Sequence, residues 1–267
     1  MQIIGGRNMS FAVVNGMYFD ARLKSCDIRN VMVNGSKITG VGYIPDEDED
    51  TLTIVDADKN SLVAGVSDFI YMPHTDHIAS TCNTIYQHGV QHIAFLPNVH
   101  SNSLDTPDSI ESILNYLSDQ QLTDCLLVGC ASLGNLPNEL AELSMLAKSG
   151  VSAIYFDRIV ENPELFKQAL IFMDMVGLPI IFGPMTTLFV TNAHLNAGKP
   201  SFEIGIRGES LLVEDAQIQY VLDMIHQHCK APVHFQCITS VTGLRMIAEF
   251  KTKYNRDITV GTSPFHC

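Results

Sequence analysis

Positive charge is scarce in this chain. Sixteen Lys and Arg stand against twenty-nine Asp and Glu, a formal net charge of −13. No Lys/Arg cluster interrupts that balance, and an acidic surface repels phosphate, so nucleic acid and anionic membrane are not expected partners. Charged residues of either sign make up only 17% while Leu, Ile, Val and Phe are plentiful, which excludes a disordered chain. Long apolar runs are missing too. Runs such as Leu178–Phe182 fall far short of the roughly 20 residues that a membrane helix needs. Met1–Ser10 has no apolar core and reads as no signal peptide. The seven cysteines (26, 82, 125, 130, 229, 237 and 267) form no Cys-x-x-Cys pair. Most sit in apolar segments, as reduced buried thiols do, so a reducing cytoplasm is expected and a structural zinc is not. Gly-x-Ser-x-Gly, Gly-x-x-x-x-Gly-Lys and Gly-x-Gly-x-x-Gly are all absent, and Ser240 has no evident base partner.

What is present divides into two parts, residues 1–60 and 61–267. The first reads as short strands. Asn15-Gly16, between Phe11–Val14 and Met17–Phe19, is a hairpin signal, and Asn34-Gly35, between Asp27–Val33 and Lys37–Gly42, repeats it. Asp46–Asp50 is a solvated acidic loop and Thr51–Val55 a further strand, giving a β-layer too thin to stand alone.

From residue 61 the pattern changes to alternating strands and helices. Strands are expected at Leu62–Tyr71, Gln91–Leu96, Cys125–Gly129, Ser152–Phe156, Pro179–Gly183, Val233–Cys237 and Asp257–Thr262. Helices fall near Asp76–Gln87, Pro107–Leu117, Asn138–Lys148, Pro163–Val176, Val213–Cys229 and Ser240–Tyr254, with a long insertion after Gly183. Ile218, Val221, Leu222, Ile225 and Cys229 make one apolar stripe. Thr106-Pro107 and Asn162-Pro163 supply caps with Pro at the first helical position, and Gly89, Gly150 and Gly177 follow helix ends. Apolar strands alternating with helices imply α/β architecture with a parallel sheet. Seven strands make an incomplete (β/α)8 TIM barrel, which lacks its last strand and has an open seam.

Several runs, in order, resemble the dihydroorotase family of cyclic amidohydrolases. Gly65–His74 (Gly-Val-Ser-Asp-Phe-Ile-Tyr-Met-Pro-His) is similar to that family's Gly-Phe-Val-Asp-x-His-x-His-x-Arg. Val31–Val41 resembles its N-terminal sandwich hairpin, and Gly89–Val99, ending Phe-Leu-Pro-Asn-Val, its Met-Pro-Asn-Thr strand, continued by Asp105-Thr106-Pro107. Val233–Ser240 resembles Val-His-x-x-His-Val-Ser-Thr, and Thr259–His266 resembles Thr-x-Glu-x-Thr-Pro-His-His.

The resemblance implies two zinc ions held by histidines and a bridging carboxylate or lysine. Carried across residue by residue, the first two histidines fall on Ile70 and Met72, the fifth-strand histidine on Gly183 and the sixth-strand histidine on Cys237. The bridging group corresponds to Asp157, the substrate arginine to His74, and the last catalytic aspartate lies beyond Cys267. Asn98, at the position that helps bind the substrate carboxylate, is retained. Ile has no lone pair and a Met thioether is too soft and weak for hydrolytic zinc. No cofactor and no catalytic residue are therefore expected.

The resemblance implies a catalytically inactive, dihydroorotase-like protein that partners the aspartate carbamoyltransferase catalytic chain structurally or in regulation. A homo-oligomer is a second expected association. Two alternatives stay open. One is a divergent amidohydrolase rebuilt around His74, His77, Asn98, His100 and Asp157; the other is a non-catalytic binder of a small anion through Asn98. His88 and His92 lie at the opposite barrel face, and His226 and His228 face different ways on one helix.

Overall fold

The computed structural model describes residues 10–20, 23–42, 52–98, 100, 102–122, 124–156, 158–183 and 195–263. The chain divides into two compact units, Met1–Gly65 and Val66–Cys267.

In the first unit, β1 (Ser10–Asp20) pairs antiparallel with β2 (Ser25–Asn34), which pairs with β3 (Lys37–Val41). β4 (Thr53–Asp56) and β5 (Ser61–Leu62) run parallel to β1. The Asn34-Gly35 hairpin is present: Asn34 faces Lys37, and Gly35 takes φ 61° at the first central position of the two-residue turn. Asn15-Gly16 makes no hairpin. Asn15 does adopt positive φ (57°), but it serves a bulge within one continuous strand, where the pairing steps from Val13–Val31 to Gly16–Arg29. Its backbone N–H donates to Asn30 Oδ1 at 3.1 Å and its side-chain amide to Asp56 Oδ1 at 3.1 Å, so neighbouring strands satisfy the bulge. Asp46–Asp50 lies outside the described residues.

Among the described residues the main sheet of the second unit has seven parallel strands. β6 (Val66–Tyr71), β7 (Val90–Leu96), β8 (Cys125–Cys130), β9 (Ala153–Phe156) and β10 (Ile180–Phe182) pair in chain order. Beyond β10, β11 (Leu195–Asn196) and β12 (Gly208–Glu209) form a separate two-stranded pair. The main sheet continues with β13 (Val233–Phe235) and ends at β14 (Ile258–Val260). Among the described residues β6 and β14 are its two edges. The expected single strand Leu62–Tyr71 is two: Leu62 pairs with β1, and the large sheet begins at Val66.

The helices are α1 (Ile78–Gln87), α2 (Pro107–Asp119), α3 (Leu143–Lys148), α4 (Pro163–Val176), α5 (Lys199–Glu203), α6 (Leu211–His228) and α7 (Val241–Tyr254). Thr106 and Asn162 cap α2 and α4 through side-chain bonds to Ser109 and Leu165 N–H, with Pro at the first helical position. Gly177 closes α4 at φ 75°. The helix expected from Asn138 begins only at Leu143. The intervening chain is pinned beside the end of β8, where Leu133 N–H donates to Glu139 O and Ala141 N–H to Ala131 O, so those backbone groups are not free for a helix. A 3-10 turn at Thr75–His77 precedes α1. No helix among the described residues is long and apolar enough to cross a membrane.

Alternation along the strands splits the apolar residues between two faces. Ile93, Phe95, Leu127, Ile154, Phe156, Ile180, Phe182, Val233, Phe235 and Ile258 pack against the helices. Phe166 of α4 meets Phe156 and Phe182 edge-on at 6.0 and 5.9 Å, and Phe182 stacks on Phe235 at 5.4 Å. Leu96, Val128, Ala153, Tyr155 and Ile181, with Phe69 and Ala94, form a second cluster on the concave face, the lumen of the half-barrel.

Candidate functional site at the mouth of the half-barrel

Catalysis in barrels of this kind takes place at the C-terminal ends of the strands, and the residues picked out by the sequence lie there. Ile70 and Met72 do not face the lumen. In the β6–β7 ladder Ile70 is level with Phe95 and Tyr71 with Leu96, and partners in a ladder share a face. Ile70 packs into the helix-side core, Met72 is fully buried there, and the lumen-facing residues of β6 are Phe69 and Tyr71.

Gly183 follows β10 directly. A Cβ built there would lie 2.8 Å from Tyr155 Cζ and closer still to its hydroxyl oxygen. Tyr155 is 3% exposed, and its hydroxyl is 3.2 Å from that of Tyr71. The volume into which a residue-183 side chain would project is therefore filled by a phenol from the neighbouring strand. Cys237, beyond β13, sits at φ 59°, and burial pushes its thiol pKa up, partly offset by a hydrogen bond with Gln236. Asp157 lies outside the described residues. Among the described residues no three His, Cys, Asp or Glu side chains are grouped to hold a metal ion. A binuclear zinc centre does not fit the residues described at these positions.

Asn98 ties its own loop to the end of β6. Its amide donates to Met72 O at 3.1 Å and its Oδ1 accepts from His100 N–H at 3.1 Å. His74, His77 and His100 are exposed. The N-terminus of α7, a natural place for an anion, is occupied by this chain's own carboxylate. Glu214, 7% exposed, accepts from Thr239 N–H at 2.8 Å, Ser240 N–H at 2.9 Å and the Thr239 hydroxyl. Asp215 accepts from the Ser240 hydroxyl, whose oxygen in turn caps Gly243 N–H.

His234 faces the lumen from β13. Its ring stacks on Phe69 at 5.1 Å, joining one edge strand of the sheet to the strand beside the other edge. Its Nε2 meets Gln236 Oε1 and its Nδ1 meets Thr259 Oγ1, both at 2.8 Å. An amide oxygen only accepts, so Nε2 carries the proton and Nδ1 accepts from the threonine. Burial lowers the His234 pKa, partly offset by the Gln236 bond. In the sequence nothing singles out Tyr71 or Tyr155. The apolar run Ala153–Phe156 gives no sign of which side chains reach the lumen.

No protein-family model matches the chain. It is 26% identical over 196 residues to the dihydroorotase of Citrifermentans bemidjiense, covering 73% of this chain and 46% of that protein. To the dihydroorotase of Trichlorobacter lovleyi it is 23% identical over 267 residues, covering 97% and 61%. The chain thus spans about half the length of the curated relatives it matches. Among solved structures, D-hydantoinase from Bacillus sp. AR9 superposes with a TM-score of 0.62 at 12% identity, covering 96% of this chain and 58% of that one. Dihydroorotase from Saccharomyces cerevisiae in complex with 5-fluoroorotic acid gives 0.57 at 11%, covering 76% and 56%. The fold is a partial TIM barrel, like the corresponding part of these two structures. In sequence the chain is similar to dihydroorotases along most of its length.

Two predictions follow from the lumen. Gly183→Ala should destabilise the fold by about 1–3 kcal/mol through overpacking against Tyr155, and Tyr155→Ala in the same chain should remove most of that increment. Denaturant unfolding of the four proteins in the cycle measures the coupling; additive effects would contradict the packing.

His234 titrates lower in the folded chain than when unfolded, so the unfolded state binds the extra proton first. The stability that the neutral ring contributes is present above about pH 6.5 and is lost on acidification towards the folded pKa. Wild type should lose stability between about pH 7 and pH 5 relative to His234→Gln, read as diverging denaturation midpoints. A gap that does not change with pH would contradict it.

Proposed function

We propose that this chain is a dihydroorotase-like protein without hydrolytic activity, whose role is structural or regulatory, and that its partner is the aspartate carbamoyltransferase catalytic chain. The packing of Tyr155 on Gly183 carries this reading. Metal-assisted hydrolysis of a cyclic amide needs several N, O or S ligands converging on one point, with an open position for water. At the position matched to the fifth-strand histidine a glycine is covered by a tyrosine. At the first-strand positions Ile70 and Met72 turn to the helices.

Two further observations support the reading over its rivals. The Asn98 side chain is bonded at both ends to backbone groups, the Met72 carbonyl and the His100 N–H, and the α7 N-terminus is filled by Glu214, so neither is available to a small anion without rearrangement. The exposed histidines at 74, 77 and 100 belong to no group of three His, Cys, Asp or Glu able to hold a metal ion among the described residues. The similarity to dihydroorotases then points to pyrimidine biosynthesis as the setting and to a surface as the retained function.

Mixing the protein with the aspartate carbamoyltransferase of the same organism tests this. A co-eluting assembly larger than either component, with no turnover of dihydroorotate or carbamoyl aspartate, is expected on gel filtration with light scattering and in a spectrophotometric assay. Independent elution would remove the partner, and turnover abolished by a metal chelator would restore the enzyme reading.

A further inference from the structure

Two cysteines 43 residues apart meet at the opposite end of the half-barrel from Gly183. Cys82 lies on the buried face of α1 and Cys125 opens β8, and their sulfurs are 3.6 Å apart. The Tyr86 hydroxyl, one turn further along α1, is 3.2 Å from the Cys125 sulfur. Cys82 is fully buried and Cys125 is 7% exposed, so the pair sits just under the surface, with Cys125 outermost. Forming a bond from 3.6 Å requires the sulfurs to close by about 1.5 Å, to the normal S–S length near 2.05 Å.

We propose that Cys82 and Cys125 are an oxidation site, forming a reversible disulfide that latches α1 to β8 when the chain meets a hydroperoxide. The Cys125 thiolate attacks the peroxide O–O bond, forming a sulfenic acid and releasing hydroxide. Cys82 sulfur then attacks the sulfenyl sulfur, forming the S–S bond as the S–O bond breaks. The Cys125 and Cys82 protons leave with the two oxygens, so two thiols and one hydrogen peroxide give one disulfide and two waters. The two sulfurs are oxidised by two electrons in all, and peroxide is reduced.

Position assigns the order of attack: Cys125 is the outer of the two residues and has the Tyr86 hydroxyl beside its sulfur as a second hydrogen-bonding partner. The Cys125 thiol is pulled below its ordinary range, first by the hydrogen bond from Cys82 and then by that from Tyr86, while burial and Asp124 oppose them. The same hydrogen bond, followed by burial, pushes the Cys82 thiol up. The less buried sulfur, with a hydroxyl placed to stabilise its thiolate, is the one that reacts first. Nothing in this inference rests on the proposed function, because the pair lies at the far end of the strands from the mouth.

The test uses the full chain treated with hydrogen peroxide, then blocked with an alkylating agent under denaturing conditions and mapped by peptide mass spectrometry. The expected result is a Cys82–Cys125 linked peptide, present in Cys26→Ser as in wild type and lost on adding dithiothreitol. Closing so long a loop should raise the melting temperature by on the order of 10 °C, a shift absent from Cys82→Ala and Cys125→Ala. Tyr86→Phe should raise the pH midpoint for alkylation of Cys125. Recovery of both cysteines as alkylated thiols while Cys26 is oxidised would overturn the proposal. So would conversion of Cys125 to the sulfinic acid without a cross-link. Because the mapping is done on wild type, a variant that fails to fold does not remove the test.

Discussion

A parallel sheet has to bury both of its faces, and that constraint governs the second unit of this chain. Outside, four phenylalanines and the β-branched and leucine residues of the strands lock onto the helices. Inside, the concave face is filled by Leu96, Val128, Ala153, Tyr155 and Ile181, with Phe69 against His234. In a metal-dependent barrel the mouth of the lumen must stay polar and open enough for ligands and water. Here the side-chain packing runs up to the mouth, and Tyr155 occupies the space over Gly183. Filling the lumen satisfies the sheet and removes the room for the chemistry.

The elements were largely legible because they rest on local physics. Pro107 and Pro163 behind their capping residues, Gly177 after α4, and the Ile218–Cys229 stripe all appear where periodicity and capping put them. The seven-strand count follows from the same alternation. Three expectations gave way to non-local pairing. Asn15 keeps the left-handed conformation its sequence favours, but β2 and β4 use it as a bulge. Leu62 is drawn to β1, away from the following strand. The start of the expected third helix is held by backbone bonds beside β8.

Much less of the site was legible. Matching Ile70 and Met72 to a ligand motif fixes their order along the chain but not the face they present, which the ladder with β7 decides. Tyr155 and Gly183 lie on adjacent strands with a helix between them in sequence, and neither carries a motif. Their contact exists only once β9 and β10 are paired. The Glu214 cap on α7 is invisible for the same reason: a carboxylate in the first turn of one helix satisfies the N-terminus of another.

The central claim is that the mouth of this barrel is packed rather than ligating, and metal content tests it most directly. Protein purified in zinc-supplemented medium without chelator, then dialysed, should carry zinc far below one equivalent per chain by elemental analysis. Titration with zinc should show no saturable site that Gly183→Ala or Tyr155→Ala alters. About two tightly held zinc ions per chain would contradict the account and return the protein to the hydrolases it resembles.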